Sequence, residues 1–189
     1  EAHRGGRGLM PENTIMAMKN AMTMDKVTTL EMDTHITKDG KVVVTHDDYL
    51  SPAFMLTPDG NNIPKADAKK YVIFGMNYNE LKAFDLGTKY YDLFPRQKKV
   101  KTHISLLSDL IDSVQNDIKV SHRKQFFYNI ETKCSEKGDG ITNPEPEKFV
   151  ELLLGVIMKK NIMPYVIIQS FDKRTLQIIN KKYPTVHTS

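Results

Sequence analysis

Polar and apolar positions along this chain switch between the strand period and the helix period. Val27 to Ile36 reads as a strand, Lys38-Asp39-Gly40-Lys41 as a turn, and Val42 to Thr45 as a short apolar strand ending at His46-Asp47-Asp48. Before them, the glycine-dense run Glu1 to Gly8 predicts a strand end entering a loop of close backbone approach. Pro11-Glu12-Asn13-Thr14 starts a helix, with Ile15, Met18 and Met22 at helical spacing as packing surface. Residues 49–100 break the rhythm: Ser51-Pro52, Pro58 to Asn62 and Pro64 mark turns, and Asn79 to Phe84 a short helix. This stretch is expected to be an insertion or small subdomain within one domain spanning residues 1–189.

Alternation then resumes. A helix is expected from Ser105 to Val114, and a strand from Gln125 to Ile130, running into Glu131-Thr132-Lys133. After a loop at 134–144 come a helix from Pro146 to Lys160, a strand from Tyr165 to Gln169, a helix from Lys173 to Lys181 and a strand from Thr185. Strands alternating with helices predict an α/β fold with a parallel sheet. Strands near residues 1, 28, 42, 125, 165 and 185 are fewer than the eight of a closed (β/α)8 barrel. Yet His3-Arg4, Glu31-Asp33, His46, Glu131-Lys133 and Gln169-Ser170 all fall at or near C-terminal ends of predicted strands, the rim where barrels gather catalytic residues. The expectation is therefore a (β/α)8 TIM-type barrel, lacking its last one or two β/α units in this sequence, with a small insertion after the third strand. An open α/β sheet is the alternative.

Composition narrows the partners. At 189 residues, 40% hydrophobic and 26% charged, the chain suits one globular domain. The net charge of +4 is mild. Its basic residues lie in short groups such as Arg96 to Lys101, without the aromatic interleaving of a nucleic-acid platform, so no nucleic-acid partner is expected. No apolar run is long enough for a transmembrane segment. Cys134 stands alone, which excludes an intrachain disulfide and a cysteine-based metal site.

The chemistry centres on carboxylates. Glu31 and Asp33 are two apart, so on a strand they share one face, roughly 6.5 Å apart along it. On an apolar strand they repel each other and call for a compensating charge. With Glu131 they suit one hard divalent cation, Ca²⁺ or Mg²⁺. His3 and His46 could share acid and base work, while Arg4 and Lys133 offer positive charge to a phosphate. Together these groups describe hydrolysis of a phosphodiester. Singly, His3 reads as a loop histidine, His46 as a strand cap, and Glu131 with Lys133 as an ion pair. His35, His103, His122 and His187 read as surface or structural residues.

The run A-H-R-G-G-R-G-L-M-P-E-N-T (residues 2–14) resembles the opening signature of the glycerophosphodiester phosphodiesterase family. Residues 31–48, E-M-D-T-H-I-T-K-D-G-K-V-V-V-T-H-D-D, resemble its second signature, and N-I-E-T-K at 129–133 its third. The resemblance implies a (β/α)8 barrel with an insertion after the histidine-bearing third strand, where residues 49–100 lie. It implies His3 and His46 as the acid/base pair, Glu31, Asp33 and Glu131 as metal ligands, and Arg4 and Lys133 as phosphate contacts. Glu12 would hold the site from behind. The implied reaction takes a small-molecule glycerophosphodiester to glycerol 3-phosphate and an alcohol. Leu50-Ser51-Pro52-Ala53 departs from the arginine- and threonine-containing segment that often follows in the family. The alternatives are a phospholipase D-like or phosphatidylinositol phospholipase-like phosphodiesterase on the same barrel, disfavoured by N-I-E-T-K, or a non-catalytic sugar-phosphate binding module. Such enzymes often scavenge head groups outside the cytoplasm, and the chain opens at Glu1 rather than Met. Both lean the expected location to the periplasm or outside, with the cytoplasm as alternative; the oligomeric state is left open.

Overall fold

The strand β1 (Thr29–Ile36) is central because its two faces have different destinations. In the computed structural model, which describes residues 1–189, Leu30, Met32 and Ile36 point to one side and Glu31, Asp33 and His35 to the other. The apolar face shares one core with four helices: α1 (Ile15–Met22), α3 (Leu107–Val120), α4 (Pro146–Lys159) and α5 (Lys173–Lys182). Between α1 and α3 in the chain lies a one-turn helix α2 (Tyr78–Leu81). The remaining strands are β2 (Val42–Val44), β3 (Ser105–Leu106), β4 (Phe127–Thr132), β5 (Val166–Gln169) and β6 (His187–Thr188), and the sheet order is β3-β2-β1-β4-β5-β6.

The same alternation recurs on the neighbouring strands. Tyr128 and Ile130 of β4 and Val166 and Ile168 of β5 join the helix-side core, together with Met18, Met22, Leu110, Val114, Phe149, Leu153, Ile157 and Ile179. Burying a side chain of this kind is worth about 1.5–3 kcal/mol. Truncation of one, such as Leu153→Ala, is expected to cost about 2–5 kcal/mol. The opposite face keeps Glu31, Asp33, His35, Asn129, Glu131 and Gln169. The helix-side pattern thus aims the charged and amide side chains of β1, β4 and β5 at one surface, while Thr132 stays on the helix side, bonded to Thr175 of α5.

Three expectations need correction. The sheet is mixed, not parallel throughout: β1 pairs with β4 and β4 with β5 in parallel, but β2 is antiparallel to both β1 and β3. The Thr37–Lys41 turn is too short for a crossover, so the chain folds straight back as a hairpin. The strand expected at residue 1 is a single bridge from Ala2 to Leu30. Ala2 N–H donates to the Thr29 oxygen at 2.9 Å and Glu31 N–H to the Ala2 oxygen at 3.2 Å, after which the chain turns away. Arg4, Gly5 and Gly6 all take positive φ there, and a Cβ on Gly5 would stand 2.8 Å from the Ala17 Cβ, so only glycine fits against α1. One edge of β1 is therefore shared, its first half by Ala2 and its second half by β2. Finally, α3 begins two residues later than expected and runs on to Val120, because Ser105 and Leu106 are taken by β3 and Ile118 continues the apolar stripe.

Residues between β2 and β3 build a second core from Leu50, Phe54, Met55, Ile63, Ile73, Leu81, Phe84, Leu86 and Ile104, joined by Val43. This stretch leaves the sheet after Val44 and returns at Ser105, and those two residues pair with each other. No helix is long and apolar enough to cross a membrane.

Candidate active site

Parallel register sets the polar row. Asp33 is the partner of Glu131, and Glu131 the partner of Gln169, across β1, β4 and β5. Glu31 stands one pleat earlier, on the same face. Ligand oxygens of Glu31, Asp33 and Glu131, all buried, lie within 4.8 Å of one another. Around them, Lys133 Nζ is 2.7 Å from Glu131 Oε1 and 3.0 Å from Asp33 Oδ1. The Arg4 main-chain N–H donates to Glu31 Oε2 at 2.6 Å. Its guanidinium donates from Nη1 to Glu12 Oε1 at 2.9 Å, and its Nε lies 3.3 Å from Asp33 Oδ2 without hydrogen-bonding alignment. Glu12 thus holds Arg4 in place, while the buried Nε is left free to donate to an anion.

The carboxylates divide electrically. Burial pushes Asp33 up, but Lys133 and the Asn13 side chain outweigh it and hold Asp33 below the usual carboxylate range. Glu31 is pushed up to about 7, first by burial and then by the charge of Asp33, against the Arg4 N–H. With all three carboxylates ionised, the trio carries one more negative charge than Lys133 and Arg4 neutralise, which is the state a cation would favour. Such an all-oxygen donor set fits a hard divalent cation, which Glu31, Asp33 and Glu131 could hold.

Two histidines flank this cluster. His3 lies in the turn after Ala2, and partial desolvation, Arg4 and Arg7 together hold its imidazole below the ordinary value despite Asp33 and Glu12. His46 follows β2, and its Nδ1–H donates to Asp47 Oδ1 at 2.8 Å. The charge of Asp33 is felt by both rings. His35, left as structural or surface by its sequence context, is fully buried and donates from Nε2 to the His46 main-chain oxygen at 3.1 Å. His103, His122 and His187 lie elsewhere: before β3, at the end of α3 and in β6.

The structure adds groups that sequence reasoning did not single out. Asn13 donates from Nδ2 to Asp33 Oδ2 at 2.8 Å and accepts from the Asp33 N–H at 3.2 Å, from a backbone at φ 58°. Its signal lay in P-E-N-T, where it read only as part of a helix start. Asp47 orients His46, and Gln169, which its strand-end position had placed on the rim without a role, donates to Glu131 Oε2 at 3.3 Å. Tyr91 stacks between Phe54 and Phe94 and senses the charges of Glu12 and Arg7, which makes it part of the site's wall.

An open six-stranded sheet backed by helices, with an acidic row and flanking cations on its other face, has the layout of a TIM-type barrel with a metal-binding rim. The profile of the family described as the Glycerophosphoryl diester phosphodiesterase family matches residues 3–189, and the chain belongs to that family. The family is metal-dependent and built on the TIM barrel. A glycerophosphodiester phosphodiesterase of Bacillus subtilis is 29% identical over 99% of this chain and 57% of its own length. One of Caldanaerobacter subterraneus is 30% identical over 97% of this chain and 62% of its own. A Silicibacter pomeroyi protein assigned as a glycerophosphoryl diester phosphodiesterase superposes with a TM-score of 0.84 at 27% identity, covering 99% of this chain and 62% of that one. An Oleispira antarctica phosphodiesterase solved in complex with the product sn-glycerol-3-phosphate shares the fold, with a TM-score of 0.70 at 22% identity, over 98% of this chain and 62% of that one. This chain spans about three fifths of the length of these relatives.

Proposed function

We propose that the protein hydrolyses small glycerophosphodiesters to glycerol 3-phosphate and an alcohol, with Ca²⁺ or Mg²⁺ held by Glu31, Asp33 and Glu131. The observation that carries this reading is the buried carboxylate trio, within 4.8 Å, beside Arg4 and Lys133 in a chain of this family. The cation, when bound, supplies charge stabilisation to the phosphoryl oxygens as they gain negative charge. Arg4 and Lys133 orient the phosphate, and Glu12 keeps the guanidinium aimed. His3, held neutral by partial desolvation and its arginine neighbours, takes the proton of the attacking oxygen. His46, with Asp47 on its other nitrogen, delivers a proton to the departing alkoxide. The product seen in the Oleispira antarctica relative supports the glycerol phosphate half of the substrate.

The test is turnover of glycerophosphocholine by the full chain before and after chelation. Activity should vanish on removal of divalent cations and return with Ca²⁺ or Mg²⁺. Full activity after thorough chelation would remove the carboxylate trio from the mechanism. Preference for lysophosphatidylcholine over glycerophosphocholine would move the reading to the phospholipase D-like alternative.

A further inference from the structure

Between Gly87 and Val100 the chain forms a closed loop, its neck tied by the Val100 N–H donating to the Gly87 oxygen at 2.9 Å. A Cβ on Gly87 would overlap the Val100 carbonyl oxygen, so the neck admits only glycine. Three contacts fasten the loop to the mouth of the site. The Lys98 N–H donates to the Leu9 oxygen at 2.9 Å, the Gln97 amide to the Arg7 oxygen at 2.7 Å, and the Arg7 guanidinium lies 4.8 Å from the Phe94 ring centre. Tyr91 and Phe94 pack inward, 5.3 Å apart. Outside stand Leu93, 71% exposed, Tyr90 at 49% and, next to the Lys98 junction, Leu9 at 40%. Residues 88–101 hold Lys89, Arg96, Lys98, Lys99 and Lys101 against the single acid Asp92, so this stretch alone carries +4, equal to the excess of the whole chain.

We propose that this loop docks the protein on an anionic phospholipid bilayer, with Leu93 and Tyr90 entering the boundary between head groups and acyl chains. An apolar tip ringed by lysine and arginine suits such a surface: the apolar groups leave water while the cations meet the anionic head groups. A nucleic acid would need open aromatic faces for its bases. Here Tyr91 and Phe94 are turned inward and Lys99 lies over the Tyr90 ring, 4.9 Å from its centre. The loop's inner side touches Arg7, whose Nη1 lies 3.7 Å from Glu12 Oε2, and Glu12 holds Arg4. Docking therefore brings the carboxylate site to the lipid surface. This inference goes beyond the proposed reaction, and its assay reads binding, not turnover.

The experiment is co-sedimentation of the full chain with phosphatidylcholine vesicles, with and without phosphatidylglycerol, at low and high salt. Binding is expected only with phosphatidylglycerol, and should fall at high salt, where screening shortens the reach of the charges. Leu93→Ser and the double variant Lys98→Glu with Lys99→Glu should each weaken binding, by roughly fivefold for each cation lost in the double variant. Both alter exposed side chains, so melting temperature and turnover of soluble glycerophosphocholine should stay unchanged. Three outcomes would overturn the proposal: no binding to phosphatidylglycerol vesicles, binding that both variants leave intact, or self-association through Leu93 in place of vesicle binding.

Discussion

The ring of His35 is bonded to the main chain of His46: Nε2–H donates to the carbonyl oxygen at 3.1 Å, inside a fully buried environment. A residue of β1 thus fixes the position of the histidine that follows β2. The carbonyl can only accept, so the His35 proton sits on Nε2, while the buried Nδ1 has no hydrogen-bond partner. His35→Phe keeps the bulk and loses the bond. Turnover should drop by about ten- to a hundredfold through misplacement of His46, with KM little changed. Steady-state kinetics would show this, and an unchanged kcat would mean that Asp47 alone orients His46.

His3→Ala and His46→Ala should each lower kcat by about 10²–10⁴-fold or more, with the circular dichroism of the parent chain retained. His3 also makes a prediction about pH. His3 is held below the ordinary histidine value of about 6.5, so it stays neutral down to a lower pH. If it is the base, the acid limb of kcat/KM should fall below that value. A limb at higher pH would assign the base role elsewhere.

Asn13 offers a way to separate side chain from backbone. Asn13→Gly tolerates the φ of 58° and removes only the two bonds to Asp33; Asn13→Ala adds backbone strain to the same loss. Both should destabilise by about 1–3 kcal/mol through the bonds lost at Asp33, with alanine the worse of the two. Denaturant melts of the two variants would check the order. Cation affinity should fall in both.

Glu31 sets a pH dependence of the metal-free protein. Its folded value, about 7, stands above the unfolded value of 4.5, so the folded state binds the extra proton between them. Stability contributed by this group is therefore greatest below about pH 4.5, declines as pH rises to about 7 and stays low beyond it. Glu31→Gln should raise the stability of the metal-free protein above about pH 7, on the order of 3 kcal/mol, and abolish the thermal shift produced by added cation. In the parent chain that shift should be larger at about pH 8 than at about pH 6, because binding requires Glu31 to release its proton. Thermal melts with and without Ca²⁺ decide both points.

The candidate site was legible where a local rule sufficed. The two-residue spacing of Glu31 and Asp33 placed them on one face, and the apolar residues between and around them placed that face opposite the helices. Glu131 could be proposed as their companion, but its alignment opposite Asp33 depends on the β1–β4 register, which no local pattern encodes. The hairpin direction was present in the brevity of Thr37–Lys41; counting strands into a parallel sheet overrode it. Ala2 failed as a strand because the positive φ of Arg4, Gly5 and Gly6 ends it after one bridge, and for non-glycine Arg4 nothing in residue type foretells that. Asn13 and His35 went unseen for one reason: each acts on a residue distant in sequence, Asp33 or His46, through a contact made only when the sheet assembles.

The pairing of Val44 with Ser105 brings the departure and return of residues 45–104 side by side at the edge of the sheet. Such a gateway makes the segment a cassette: it enters and leaves the sheet at one place, and the β1–β4 register, not the segment, sets the spacing of Glu31, Asp33 and Glu131. His46 and the loop carrying Leu93 travel with the cassette, whereas His3, Arg4 and the carboxylates stay with the frame. An exchange of this segment between relatives would thus transplant His46 and the outer approach, and leave the carboxylate trio where it was.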